Sequence, residues 1–299
     1  MPMRPWRVIL STAAVLLAVA ITGLLSPPLP ALTPTSMAQG QLSSLQYEGA
    51  GYVLYAPAGA TPDRPITLLV AMYGMGGNAE TFAESLKPMA DRNGWLLLVP
   101  SFTYGDWKQV DAVRSDDRQQ LPSLRAIIDA LPQETGFQVR ERVLLYGFSR
   151  GAQAAHRFAL MYNHKVLASA SMAAGSYTLP ISSTVIAGEQ SLKYPLGVGD
   201  LASYCGEQFV AEDVSHVRFW VGVGAMDNNP DDVPRPWDRY LGSDRVARAR
   251  SFAAGMSNLV GAQVQLDIIP GLEHAESDES RARAEAFLLQ SEREYLRGL

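Results

Sequence analysis

The chain has 299 residues, a formal charge of −5 and a single cysteine, Cys205. An acidic body with few lysines argues against nucleic acid and against anionic membrane surfaces as partners, and one cysteine excludes an intrachain disulfide. The length suits one large α/β domain.

Residues 1–38 carry Arg4 and Arg7 but no acid, an apolar run from Val8 to Leu25, a proline-rich stretch (Pro27, Pro28, Pro30) and Ser36-Met37-Ala38. This is the pattern of a secretory signal with cleavage after Ala38; the apolar run is also long enough for an uncleaved membrane anchor. In both cases the arginines stay inside and the body lies outside the cytoplasm, secreted or in the cell envelope. Cleavage would leave residues 39–299, with a formal charge of −7, as a single domain.

Strands are expected at 45–48 and 52–55, then near 66–73, 95–100, 142–147, 166–171, 217–223 and 264–269. Helical patterns lie near 79–92, 120–131, 150–162, 243–260 and 278–296, with a short helical possibility near 199–208. Strict alternation of strand and helix implies a mostly parallel sheet of about eight strands, helices on both faces, and functional loops at the carboxyl ends of the strands. The segment 174–216 departs from the alternation, with turn residues and scattered aromatics (Tyr177, Tyr194, Tyr204, Phe209).

The most informative stretch is Val143-Leu144-Leu145-Tyr146-Gly147-Phe148-Ser149-Arg150-Gly151 and the helical pattern after it. A Gly-X-Ser-X-Gly turn between a strand and a helix forces the serine into strained backbone angles, and glycines two residues to either side let neighbouring chain pass close by. Ser149 is therefore the candidate nucleophile rather than a simple helix cap. Its base and acid are sought at other strand ends. His274 follows the strand at 264–269, and Asp227 follows the strand at 217–223; it is preferred to Asp231 and Asp232 because it is nearest the strand terminus. Of the other histidines, His156 lies two turns along the nucleophile's own helix, His164 at a helix exit, and His216 ahead of a strand, at the opposite end of the sheet.

After the strand at 66–73 comes Gly74-Met75-Gly76-Gly77-Asn78. Its glycines allow the Met75 N–H to turn inward beside that of Arg150, giving two donors for an oxyanion. Residues 74–79 also match a relaxed dinucleotide fingerprint, but the next strand ends in Ser101 rather than in the acid that would hold a ribose. Tyr73, Phe148, and Tyr104 and Trp107 of the aromatic stretch 102–107 are candidate substrate contacts. No metal ligand set and no organic cofactor is expected.

These residues together resemble the α/β-hydrolase superfamily. Gly147 to Gly151 is similar to its nucleophile elbow, Asp227 and His274 to its acid and base in the family's order, and Tyr73-Gly74-Met75-Gly76-Gly77 to its His-Gly oxyanion motif, with Tyr73 in place of the usual histidine. The early oxyanion loop and compact length look most like the polyhydroxyalkanoate depolymerase, feruloyl esterase and dienelactone hydrolase-like groups. The resemblance implies the α/β-hydrolase fold and hydrolysis of a small or polymeric ester, such as a polyester or a phenolic ester, through an acyl-enzyme; the segment 174–216 has two readings, part of a small cap over the site or a surface loop with one packing helix. Arg150, a bulky cation beside the nucleophile, has two expected uses: pairing with a loop carboxylate or reaching the substrate. A serine peptidase built on the same triad and a non-catalytic binding module are the competing readings, and the oligomeric state is left open.

Overall fold

The computed structural model describes residues 39–184 and 190–298. The expected signal or anchor at 1–38 lies outside the described residues. Among those described, no helix is long and apolar enough to cross a membrane.

Eight strands form one sheet: β1 (Leu42–Tyr47), β2 (Ala50–Tyr55), β3 (Leu68–Met72), β4 (Leu96–Pro100), β5 (Val143–Phe148), β6 (Val166–Met172), β7 (Arg218–Gly224) and β8 (Val264–Ile269). Their spatial order is β1-β2-β4-β3-β5-β6-β7-β8. β1–β2 and β2–β4 pair antiparallel, and the other five pairs are parallel. The central strands are buried along their whole length because both faces are covered, so β3 and β4 read as unbroken apolar runs instead of alternating.

Five long helices cover the sheet: α1 (Ala79–Asn93), α2 (Val110–Thr135), α3 (Arg150–Met161), α4 (Arg245–Gly255) and α5 (Asp278–Arg297). Alternate residues of β3 and β5 separate the two faces. Leu68, Val70 and Leu145 pack with Leu121 and Leu124 of α2, Phe158 of α3 and Phe252 of α4. Leu69, Ala71, Leu144 and Tyr146 pack with Phe82 and Leu86 of α1 and Phe287 and Leu288 of α5. Each large apolar side chain so buried contributes about 1.5–3 kcal/mol by leaving water. The helix ends follow local chemistry. Asn78 caps α1 by accepting from the Thr81 N–H at 2.9 Å, Gly94 ends it at φ 67°, and Ser277 with Ser280 forms a capping box at the start of α5.

Two helices differ from the sequence expectation. α2 begins at Val110 rather than 120, with Pro122 and Pro132 inside it. Its buried face includes Val113, Asp117, Leu121 and Leu124, and the carboxylate at the second of these positions interrupts the apolar period. The pattern at 243–260 is α4 followed by a π-helical turn, Met256–Val260, that ends at Gly261 with φ 76°. Between β6 and β7 lie a two-stranded ribbon (Ser183–Thr184 with Gln190–Ser191) and short helices Ala202–Cys205 and Ala211–Ser215. Tyr177 and Tyr194 from this segment are fully buried, Tyr204 and Phe209 partly so.

Candidate active site

β5 ends at Phe148 and α3 begins at Arg150, so the chain reverses on Ser149 alone. Ser149 has φ 54° and ψ −115°, a region that L-residues rarely occupy and that costs about 1–3 kcal/mol. Its surroundings hold it there. The Ser149 N–H donates to Met172 O at 2.8 Å, and a Cβ on Gly147 would lie 2.5 Å from Gly151 O. A Cβ on Gly151 would lie 2.0 Å from Met72 O, so glycine is required on both sides of the serine.

β7 and β8 bring the partners. At the end of β7, Ala225 N–H donates to Ile269 O (2.8 Å) and Met226 N–H to Leu272 O (2.9 Å), which ties the turn carrying Asp227 to the loop carrying His274. Gly224 makes this approach possible, since a Cβ there would stand 2.1 Å from Leu272 O. The His274 Nδ1 lies 2.8 Å from Asp227 Oδ2, and its Nε2 lies 2.9 Å from Ser149 Oγ. A carboxylate only accepts, so Nδ1 carries the proton and Nε2 is left to accept from the serine hydroxyl. Phe148 stacks on the imidazole, with ring centroids 5.3 Å apart and planes 25° apart. Asp227 is buried and His274 half-exposed. A hydroxyl donating to an imidazole can pass on its proton as it attacks a carbonyl.

Asp231 and Asp232 are exposed, and their carboxylates bond to Arg235 and Asn229 respectively. His156 is fully buried in α3, its Nδ1 donating to Ala152 O (3.0 Å) and its Nε2 accepting from the Thr178 N–H (3.1 Å). Burial, then the neighbouring Arg157 cation, hold it well below the ordinary histidine range. His164 and His216 line a separate cavity with Arg142 and Glu207.

The loop Gly74–Asn78 lies against the nucleophile: a Cβ on Gly74 would be 3.2 Å from Ser149 Cβ. Met75 is 43% exposed, and the Arg150 N–H, first in its helix, has no intrahelical acceptor. The loop is braced by tyrosines. The Tyr73 hydroxyl donates to Phe102 O (2.6 Å), and the Tyr104 hydroxyl donates to Tyr73 O (3.0 Å). A cavity of about 380 Å³ opens beside this loop, lined by Tyr73, Met75, Phe82, Phe148, Glu276 and Arg281 among others. Tyr104 lines a different cavity, and Trp107 lies on a turn with the Lys108 ammonium 5.0 Å from its ring centroid; neither they nor any of the described residues of 174–216 line the cavity beside Met75.

The Arg150 side chain does not turn outward to a substrate, and its partners are not in a loop. It is buried, pairs with Asp117 (3.1 Å) and Asp116 (3.4 Å) on α2, and has the Tyr104 ring over its guanidinium at 5.0 Å. Asp117 also accepts from Arg157 (3.1 Å) and from the Tyr194 hydroxyl (2.7 Å), forming a buried network that the sequence does not announce. Arg245, which bonds the other oxygen of Asp227, is equally silent in the sequence. Among the described residues, no three His, Cys, Asp or Glu side chains come together so as to hold a metal ion.

No family model matches the chain, and no curated protein matches it by sequence. Solved structures match it in shape. Poly(aspartic acid) hydrolase-1 from Sphingomonas sp. KT-1 superposes with a TM-score of 0.66 at 19% identity, over 84% of this chain and 99% of that one. LpqC, a poly(3-hydroxybutyrate) depolymerase from Bordetella parapertussis, gives 0.61 at 22% identity, over 83% and 90%. A ferulic acid esterase gives 0.56 at 14% identity, over 85% and 97%. With the sheet order, the strand-to-helix elbow and the loops at the carboxyl edge, these likenesses identify the architecture of this chain as the α/β-hydrolase fold.

Proposed function

We propose that the chain is an extracytoplasmic serine hydrolase that cleaves carboxylic esters by two acyl transfers. The observation that carries this reading is the continuous hydrogen-bonded line from Ser149 Oγ through His274 to Asp227, on a serine with the strained backbone of an elbow. In the first transfer, Ser149 Oγ attacks the ester carbonyl while His274 Nε2 takes its proton. The Met75 and Arg150 N–H groups stabilise the oxyanion, and the imidazolium protonates the departing alkoxide as the C–O bond breaks. In the second, His274 takes a proton from water as it attacks the acyl-enzyme, and returns it to Ser149 Oγ. No organic cofactor takes part. The cavity beside Met75, with its Phe82 and Phe148 walls, is the candidate acyl or alcohol site, and residues 1–38 are the proposed export signal or anchor.

Amide hydrolysis is the second reading, favoured by the likeness to a poly(aspartic acid) hydrolase, whose name points to an amide-linked polymer. The three-residue line serves both, but an amine leaving group needs protonation more than an alkoxide does. Initial rates on p-nitrophenyl esters of increasing acyl length, set against the matching anilides, test the proposal. Hydrolysis of esters with an optimum at one chain length supports it; faster turnover of anilides, or rates unchanged in Ser149→Ala, overturns it.

A further inference from the structure

We propose that Arg245 is a positioning residue of this site, holding the acid in the orientation and electrostatic state that the base requires. The proposal rests on the serine-hydrolase reading above. Arg245 is the first residue of α4, whose N-cap Asp244 accepts from the Ala247 N–H at 2.8 Å. Its side chain is buried and makes two bonds at opposite ends of one loop. Nη1 donates to Asp227 Oδ1 at 2.8 Å, and Nη2 donates to Asp232 O at 2.7 Å. The turn carrying the acid and the exposed stretch after it are thus fixed to the same helix end.

The consequence for Asp227 is geometric first. A carboxylate bonded through one oxygen can rotate about its Cβ–Cγ bond; one bonded through both cannot. With Oδ1 held by Arg245, Oδ2 is presented to His274 Nδ1 at 2.8 Å, and the ring is aimed at Ser149. The second consequence is electrostatic. Asp227 and Arg245 form a buried, nearly neutral pair, so the imidazolium formed during attack faces a carboxylate whose field is partly cancelled. The titratable and charged groups around the pair include His274 from the loop after β8, Tyr177 from the segment after β6, Asp232 in the loop after β7, Asp244 at the N-cap of α4, and Arg248 one turn further along α4. Arg248 is committed elsewhere, to Gly175 O, Pro234 O, Gly242 O and Asp238, so it does not stand in for Arg245.

The test uses the full chain with Arg245→Met, Arg245→Gln and Arg245→Lys. Competent sites are counted with a fluorophosphonate that labels the active serine, and kcat and KM per labelled site are followed with pH on a short p-nitrophenyl ester. Arg245→Met is expected to lose about tenfold to a hundredfold in kcat per site with KM within about twofold. Once the cation is gone, protonation of the imidazole is easier, so the acid limb of kcat/KM moves up by about one pH unit. Arg245→Gln, which can donate one hydrogen bond without charge, shows the same move of the limb, and Arg245→Lys brings the limb back. A lower melting temperature with kcat per site and the acid limb unchanged in the Met or Gln variant would make Arg245 a structural staple and overturn the proposal. If the wild-type chain takes no label at Ser149, the serine-hydrolase reading itself has failed and the role of Arg245 falls with it.

Discussion

Ser149 is held in an unfavourable backbone region by neighbours that admit no side chain, and this makes the elbow sensitive to single atoms. Gly151→Ala would drive a Cβ to 2.0 Å from Met72 O, against which neither β3 nor α3 can move without opening the core. It is expected to abolish soluble expression or lower the melting temperature by several degrees, whereas Ser149→Ala keeps the melting temperature and abolishes turnover; thermal melts and ester assays check both. The choice of acid is tested in the same way. Asp227→Ala removes the carboxylate on His274 and should cost at least about a hundredfold in kcat. Asp232→Ala removes a side chain that bonds Asn229 and leaves the backbone oxygen that Arg245 uses, so its kcat should stay within about threefold of wild type. That Ser149, Asp227 and His274 would come together was legible because each follows a strand end and the serine carries a spacing motif. Arg245 was not, because an arginine in the first turn of a helix has no spacing signature, and its partner is distant in sequence.

At the scale of elements, α2 shows where the sequence pattern ran out. Val113, Asp117, Leu121 and Leu124 recur at helical spacing on its buried face, but a carboxylate at one of those positions reads as a break in the apolar period. That carboxylate bridges Arg150 and Arg157 in the interior, and Asp116 supplies the second negative charge beside Arg150. Asp117→Ala would leave the buried Arg157 without its carboxylate and Arg150 with only the longer contact to Asp116, and is expected to cost about 3–5 kcal/mol of stability, measured as a loss in urea midpoint. Asp116→Ala, which removes a longer and less buried contact, should cost less than about 1 kcal/mol. The bracing of the loop Gly74–Asn78 was equally unreadable: Tyr73 gives no hint that its partners lie about thirty residues on, in Phe102 and Tyr104. Tyr104→Phe loosens the Tyr73 carbonyl, and kcat should fall severalfold with little change in KM.

For the whole molecule, the alternation of strands and helices foretold the mostly parallel sheet and the place of the candidate residues beyond the carboxyl ends of its strands. The strand order did not follow from it, because only long-range pairing puts β3 between β4 and β5. The packed interior also carries a pH dependence. His156 is neutral when folded, with its protonation held well below the ordinary range by burial, while an unfolded chain takes up the proton near pH 6.5. A histidine with a depressed folded value leaves stability complete above about pH 6.5 and removes it as the pH falls, by up to about 1.4 kcal/mol per pH unit. The urea midpoint should therefore drop between pH 7 and pH 5, and His156→Gln, which keeps an acceptor for the Thr178 N–H, should flatten that slope. A slope unchanged in His156→Gln would assign the pH dependence to other groups.

The most direct measurement is the pre-steady-state reaction of the chain with a p-nitrophenyl ester, quenched in the burst and mapped by mass spectrometry. One released phenolate per chain, with the acyl group on Ser149 and none in Ser149→Ala, is the expected result. Turnover without an adduct, or an adduct on another residue, would contradict a nucleophilic Ser149.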